Sequence, residues 1–142
     1  MDRINIITLG TRNIAESLEF YRNMGFEATV VGDEKVPDIV FFRASGSKLA
    51  LFPLEKLAEE TGIAPSYEVG FKGITLAFNA KSEGEVDQVL RDAESFGGKV
   101  TSVAQTTEWG GYGGYFTDLD GYTWEVAFGP DWEFDEDDML II

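Results

Sequence analysis

An α+β fold built from two tandem βαβββ modules, arranged as a cleft-like, partly closed mixed sheet, is what the sequence predicts, on three observations. Two stretches carry the same order of signals: an apolar strand run, a capped amphipathic helix ended by glycine, then three further strand runs. Asn13-Ile14-Ala15-Glu16 and Ser82-Glu83-Gly84-Glu85 are both capping boxes. Each copy closes on a hairpin turn, Ser45-Gly46-Ser47 in the first and Leu119-Asp120-Gly121 in the second.

The elements follow in order. Ile4 to Leu9 is apolar and β-branched, a strand, after which Asn13 caps a helix and Glu16 can return to the cap amide. Ile14, Leu18 and Tyr21, spaced by four and three, line one helical face, and Gly25 stands where a left-handed C-terminal cap belongs. Phe26 to Val31, Asp38 to Ala44 and Lys48 to Phe52 supply three more strands. In the second copy Gly73 to Asn79 is a strand, and Val86, Val89, Leu90, Ala93 and Phe96 form a helical face stopped by Gly97. Lys99 to Ala104, Gly114 to Asp118 and Tyr122 to Phe128 complete it. Residues 1–130 are thus expected to form a single domain, with module 1 at 4–53, a linker at 54–72 punctuated by Thr61-Gly62, Pro65 and Gly70, and module 2 at 73–129. Residues 131–142 are an acidic tail, six carboxylates followed by Met139-Leu140-Ile141-Ile142. With Trp132 and Phe134 its apolar end either docks on a core or on a second subunit, or frays.

Composition narrows the chemistry. The 142 residues suit one domain with an ordinary globular balance. No Cys is present, so disulfides, thiolate metal sites and cysteine nucleophiles are excluded, and a reducing compartment is permitted. No His is present either, which removes the commonest metal ligand and the commonest general base. The net charge of -15 argues against nucleic acid and anionic membranes as partners. A neutral or cationic small molecule fits that charge. No apolar run approaches the about 20 residues of a membrane span, and the start lacks a signal-peptide pattern. A soluble, cytoplasmic protein is expected.

Alternation in the last strand puts Trp124, Val126 and Phe128 on one side and Thr123, Glu125 and Ala127 on the other. The aromatic side belongs under a helix, so Glu125 looks out of the concave side, as a site acid or as a solvated carboxylate. The segment Gly114-Tyr115-Phe116-Thr117-Asp118-Leu119-Asp120-Gly121-Tyr122-Thr123-Trp124-Glu125-Val126-Ala127 resembles the closing hairpin of the vicinal oxygen chelate superfamily. That superfamily includes glyoxalase I, extradiol dioxygenases, fosfomycin-modifying enzymes and bleomycin-binding resistance proteins. Thr8-Leu9-Gly10 through Gly25-Phe26 is similar to its opening strand and helix, so the resemblance runs from about Ile4 to Phe128.

The resemblance implies a metal held by one ligand, commonly His or Glu, from the first and last strands of each half. Pairing Gly46 with Gly121 sets Ala50 opposite Glu125, and pairing Asn13 with Ser82 sets Ile6 opposite Thr75. The quartet reads Ile6, Ala50, Thr75, Glu125, with one good donor where about three are needed. No metal and no cofactor is therefore expected.

Trp109-Gly110-Gly111-Tyr112-Gly113-Gly114-Tyr115 leads into a strand and carries no Lys-Ser or Lys-Thr, so it is not a phosphate loop. Its aromatics are either a rim over the cleft or core. The residues expected to line the cleft are Ile6, Thr8, Phe42, Ala50, Phe52, Thr75, Trp109, Tyr112, Tyr115 and Glu125, with Phe41 a further wall candidate. The function expected is a metal-free small-molecule binding protein of the glyoxalase and bleomycin-resistance type. The alternative is a related lyase or isomerase with Glu125 as general base, or as sole carboxylate ligand, and Tyr115 or Tyr112 as partner acid. A homodimer is implied by the resemblance.

Overall fold

The computed structural model describes all 142 residues, in two units, Met1–Glu68 and Val69–Ile142. The first contains β1 (Ile6–Thr11), α1 (Ile14–Asn23), β2 (Glu27–Gly32), β3 (Pro37–Arg43), β4 (Lys48–Pro53) and α2 (Leu54–Thr61). Its four strands lie in the order β1-β4-β3-β2, with β1 parallel to β4 and the other pairs antiparallel.

α1 starts where the side-chain oxygen of Asn13 accepts the Glu16 amide at 3.2 Å, satisfying a donor the first turn leaves free. It stops at Gly25, whose φ of 100° few other residues adopt without strain. Its buried face, Ile14, Leu18, Phe20 and Tyr21, packs on Leu9, Leu49, Leu51, Val40 and Phe42 from the sheet. Tyr21 meets Phe26 edge-on at 5.3 Å and leans on Phe42 at 5.3 Å. Each such buried side chain contributes roughly 1.5–3 kcal/mol.

α2 falls inside the segment the sequence marks as linker. The turn signals there mark its end: Gly62 takes φ 72° and its amide reaches back to the helix. No side chain caps its start, which follows Pro53, so the usual signature is missing. The helix is held by tertiary contact with β1 and β4. Gly10 makes that contact possible, since a Cβ there would lie 2.7 Å from Leu54 Cδ1.

The second unit repeats the plan with β5 (Thr75–Ala80), α3 (Glu83–Ser95), β6 (Lys99–Thr106), β7 (Tyr112–Thr117) and β8 (Thr123–Phe128), in the order β5-β8-β7-β6. Ser82 Oγ accepts the Glu85 amide at 3.1 Å, and Glu85 returns to the amide of Lys81, one residue before the cap. Val86, Leu90 and Ala93 of α3 are buried against the sheet, whose Phe116, Trp124 and Val126 are buried as well. Gly114 sits under that helix, where a Cβ would come within 2.8 Å of Leu90 Cδ1 and 2.7 Å of the Ser102 carbonyl. The hairpin between β7 and β8 is organised by Asp118, which accepts the amides of Asp120 and Tyr122 at 3.0 and 2.9 Å.

The tail is docked on this second unit. Trp132 stacks on Trp109 with centroids 5.4 Å apart and planes at 17°, and Phe134 bridges to Leu140. Lys81 bonds Asp138 and lies 5.7 Å from the centre of the Phe134 ring. The segment closes on itself through Asp135, whose side chain accepts the amides of Asp137 and Met139. No helix of the chain is long and apolar enough to cross a membrane.

Candidate functional site

Strand register fixes which side chains share the sheet face away from α1 and α3. In the first unit that face carries Ile6, Thr8 and Gly10 of β1, Lys48, Ala50 and Phe52 of β4, and Phe41 of β3, because Thr8 pairs with Ala50, Gly10 with Phe52 and Phe41 with Ala50. α2 covers its Gly10 end. Ile6 is 47% exposed and Thr8 is exposed, while Phe52 and Phe41 are half-buried. Ala50 lies on the expected face, yet its methyl is too short to rise past its neighbours and is fully buried.

In the second unit the corresponding face is a grid of three rows. Thr75, Thr123, Thr117 and Lys99 form the first, Ala77, Glu125, Tyr115 and Ser102 the second, and Asn79, Ala127, Gly113 and Gln105 the third. Glu125 and Tyr115 are direct cross-strand partners, both half-buried on the same face. Burial, then the charge of the neighbouring Glu125, push the phenol of Tyr115 above its ordinary value. It therefore stays protonated beside the carboxylate.

Three residues expected at the cleft are elsewhere. Phe42 is 1% exposed and faces α1, in ring contact with Tyr21 and Phe26, so its neighbour Phe41 holds the open face. Tyr112 stands on the helix side of β7 and donates to Asp87 of α3 at 2.8 Å, a bond that raises its pKa. It cannot be the partner acid of Glu125. Trp109 lies outside the strands and spends one ring face on Trp132.

The four positions that the resemblance pairs with metal ligands keep their internal symmetry. Ile6 is register partner to Lys48, two residues before Ala50, and Thr75 is partner to Thr123, two residues before Glu125. The donor chemistry does not fit a divalent metal. The first unit offers Ile6 and Ala50, which have no donor atom, and the second offers one hydroxyl and one carboxylate, against the about three protein ligands a catalytic site uses.

A second concavity, absent from the sequence reading, lies wholly within the first unit. It has a volume of about 420 Å³ between α2 and the chain that follows, with Ala58, Ile63 and Pro65 as apolar lining and Glu55, Glu59 and Tyr67 as polar lining. Tyr67 donates to Glu55 at 2.9 Å, and that bond raises its pKa. Its signal in the sequence is the Leu54, Leu57, Ala58 spacing of α2 inside the presumed linker.

Comparison with known proteins agrees with this architecture. The family description that matches, over residues 3–126, is the Glyoxalase/Bleomycin resistance protein/Dioxygenase superfamily. A glyoxalase-related enzyme from Fulvimarina pelagi is similar at 29% identity and TM-score 0.88, covering 100% of this chain and 99% of its own. A lactoylglutathione lyase from Agrobacterium tumefaciens is similar at 24% identity and TM-score 0.67, over 94% and 98%. A glyoxalase/bleomycin resistance protein/dioxygenase family enzyme from Burkholderia phytofirmans PsJN shares the fold at 17% identity and TM-score 0.74, over 87% and 96%. No curated protein matches the chain.

Proposed function

This chain belongs to the glyoxalase/bleomycin resistance protein/dioxygenase superfamily, and we propose that within it the protein binds a small molecule on the open sheet faces without a catalytic metal. One observation carries the reading: two of the four positions where the family's ligands would stand are Ile6 and Ala50, and only Glu125 supplies a carboxylate. On the open face of the first unit Phe41, Phe52 and Ile6 offer apolar surface, and on that of the second Tyr115, Glu125 and Thr75 offer polar groups, the two kinds of surface small-molecule sites use. The protein is proposed to act as a cytoplasmic homodimer, as the resemblance implies. Metal analysis of purified protein with a thermal-shift series in Mg²⁺, Mn²⁺, Ni²⁺ and Zn²⁺ tests the central point. The expected result is substoichiometric metal and an unmoved midpoint; stoichiometric metal that raises the midpoint overturns it.

A second reading has its own support. Glu125 and Tyr115, direct cross-strand neighbours on one face, are a carboxylate and a protonated phenol, the two kinds of group general acid-base chemistry uses. In that case Glu125 takes a proton from a carbon acid and Tyr115 holds the developing oxyanion. Replacing Glu125 by Gln abolishes turnover under this reading, whereas under pure binding there is no turnover to lose.

A further inference from the structure

Resting on the homodimer proposed above, we infer that its interface is the free edge of β5, where β5 of a second copy pairs antiparallel about a two-fold axis. Four strands are sheet edges in this chain, β1 and β2 in the first unit and β5 and β6 in the second. Such edges offer unpaired amides and carbonyls to any passing strand, and proteins usually blunt them. β2 carries Glu27 and a register shift at Val31 and Gly32, and β6 carries Lys99 and two shifts. β1 is uncharged, but its far end is closed off, with α2 against Gly10 and Thr11 buried. β5 has none of these guards. Its run Thr75-Leu76-Ala77-Phe78-Asn79-Ala80 has no charge, no proline and an unbroken register with β8, and its outer side makes no backbone hydrogen bond.

The side chains at this edge are uncovered as well. α3 lies over β6, β7 and β8 and only borders β5, so the helix-side residues of β5 are left open. Phe78 is 40% exposed, whereas Leu9, at the same place in the first unit, is 5% exposed. Ile74, which enters the strand with the same parity as Phe78, is 50% exposed, and Val69 and Phe71 lead into it exposed. A two-fold axis at Leu76 sets Ile74 of each copy opposite Phe78 of the other, so each apolar side chain meets another. Charge selects a second copy as the occupant. Two chains of net charge -15 repel over most of their surface, but from Lys72 to Lys81 this chain holds two lysines and no carboxylate. Area sets the strength. Aromatic side chains bury about 150–250 Å² each, so Phe71 at 69% and Phe78 at 40% exposure leave roughly 160–270 Å² open per copy. Taken over both copies, with Val69, Ile74 and the strand edge itself, the contact reaches the low end of specific interfaces, about 1,000–1,200 Å² in total, the class of a concentration-dependent dimer.

Sedimentation equilibrium of the full chain over a dilution series, with hydrogen exchange of the β5 amides read alongside, tests this. The mass is expected to fall from about twice 15.7 kDa toward 15.7 kDa on dilution, and the β5 amides to lose protection with it. Phe78→Lys, which sets an ammonium against Ile74 of the second copy, should weaken the dimer at least about tenfold. Phe71→Ser, outside the strand, should weaken it by less. Val103→Lys, on the guarded edge β6, should leave it unchanged. Circular dichroism should show all three folded; should Phe78→Lys fail to fold, Phe71→Ser and the exchange data still decide. A dimer that Phe78→Lys and Phe71→Ser leave intact, that Val103→Lys breaks, or that forms without protecting β5 overturns this surface and leaves the homodimer standing. A monomer at every concentration overturns both.

Discussion

Phe41 and Phe42 are adjacent in β3, chemically identical and on opposite faces of the sheet, so truncating each in turn measures which face is core. Phe42 is 1% exposed, with Tyr21 and Phe26 both at 5.3 Å. Phe42→Ala should cost about 3–5 kcal/mol, the range for a fully buried ring, with each ring pair accounting for about 0.5–1.5 kcal/mol beyond burial. Phe41 is half-buried on the open face, so Phe41→Ala should lose roughly half of the lower figure, about 1–2 kcal/mol. At about 1–3 kcal/mol per M of urea, Phe42→Ala lowers the unfolding midpoint by about 1–5 M and Phe41→Ala by about 0.3–2 M, the smaller shift at any one slope. Should Phe42→Ala fail to fold, Phe42→Leu keeps most of the volume and shows the same order at smaller scale. Equal losses at the two positions, or a larger loss at Phe41, would refute the face assignment and with it the composition of the open face.

Tyr115 gives a pH test whose sign is fixed. Its folded pKa is raised above the ordinary 10.0, so the contribution of the neutral phenol is fully present below pH 10 and is lost as pH climbs through the folded value. The stability gap between wild type and Tyr115→Phe, followed by urea unfolding, should hold steady below pH 10 and narrow above it; a gap constant to the alkaline limit contradicts the pairing. Trp132→Ala should remove the stacked indole pair, costing about 1 kcal/mol and altering the near-ultraviolet dichroism. An unchanged spectrum would mean the tail is not held there, because the exposed Lys81 and Asp138 pair is too weak to hold it.

The fold was legible because its signals are local. Asn13 and Ser82 do cap helices, Gly25 and Gly97 do take positive φ, and the Asp-Gly turn does close β7 on β8. α2 escaped because its start has no capping side chain, and its stability comes from β1 and β4, which a local window does not contain. Phe42 was misplaced because two consecutive aromatics leave alternation without a phase, and the phase comes only from pairing with Ala50. Tyr112 was a readable error: it is three residues from Tyr115, and an odd spacing in a strand puts the two on opposite faces. Trp109 lies beyond the strand, where parity says nothing, and its partner Trp132 is far along the chain.

The strand order of the first unit bears on synthesis. Its edge strand β1 waits for β4, roughly 40 residues later, before its parallel ladder can form, and α2 completes the cover at Thr61. Everything that ladder and the α1 core require precedes β5 in the chain and so emerges from the ribosome before it. The amino-terminal half can thus reach its native pairing while the carboxy-terminal half is still a nascent chain, which shields β1 and β4 from mispairing with the near-copies β5 and β8 that follow.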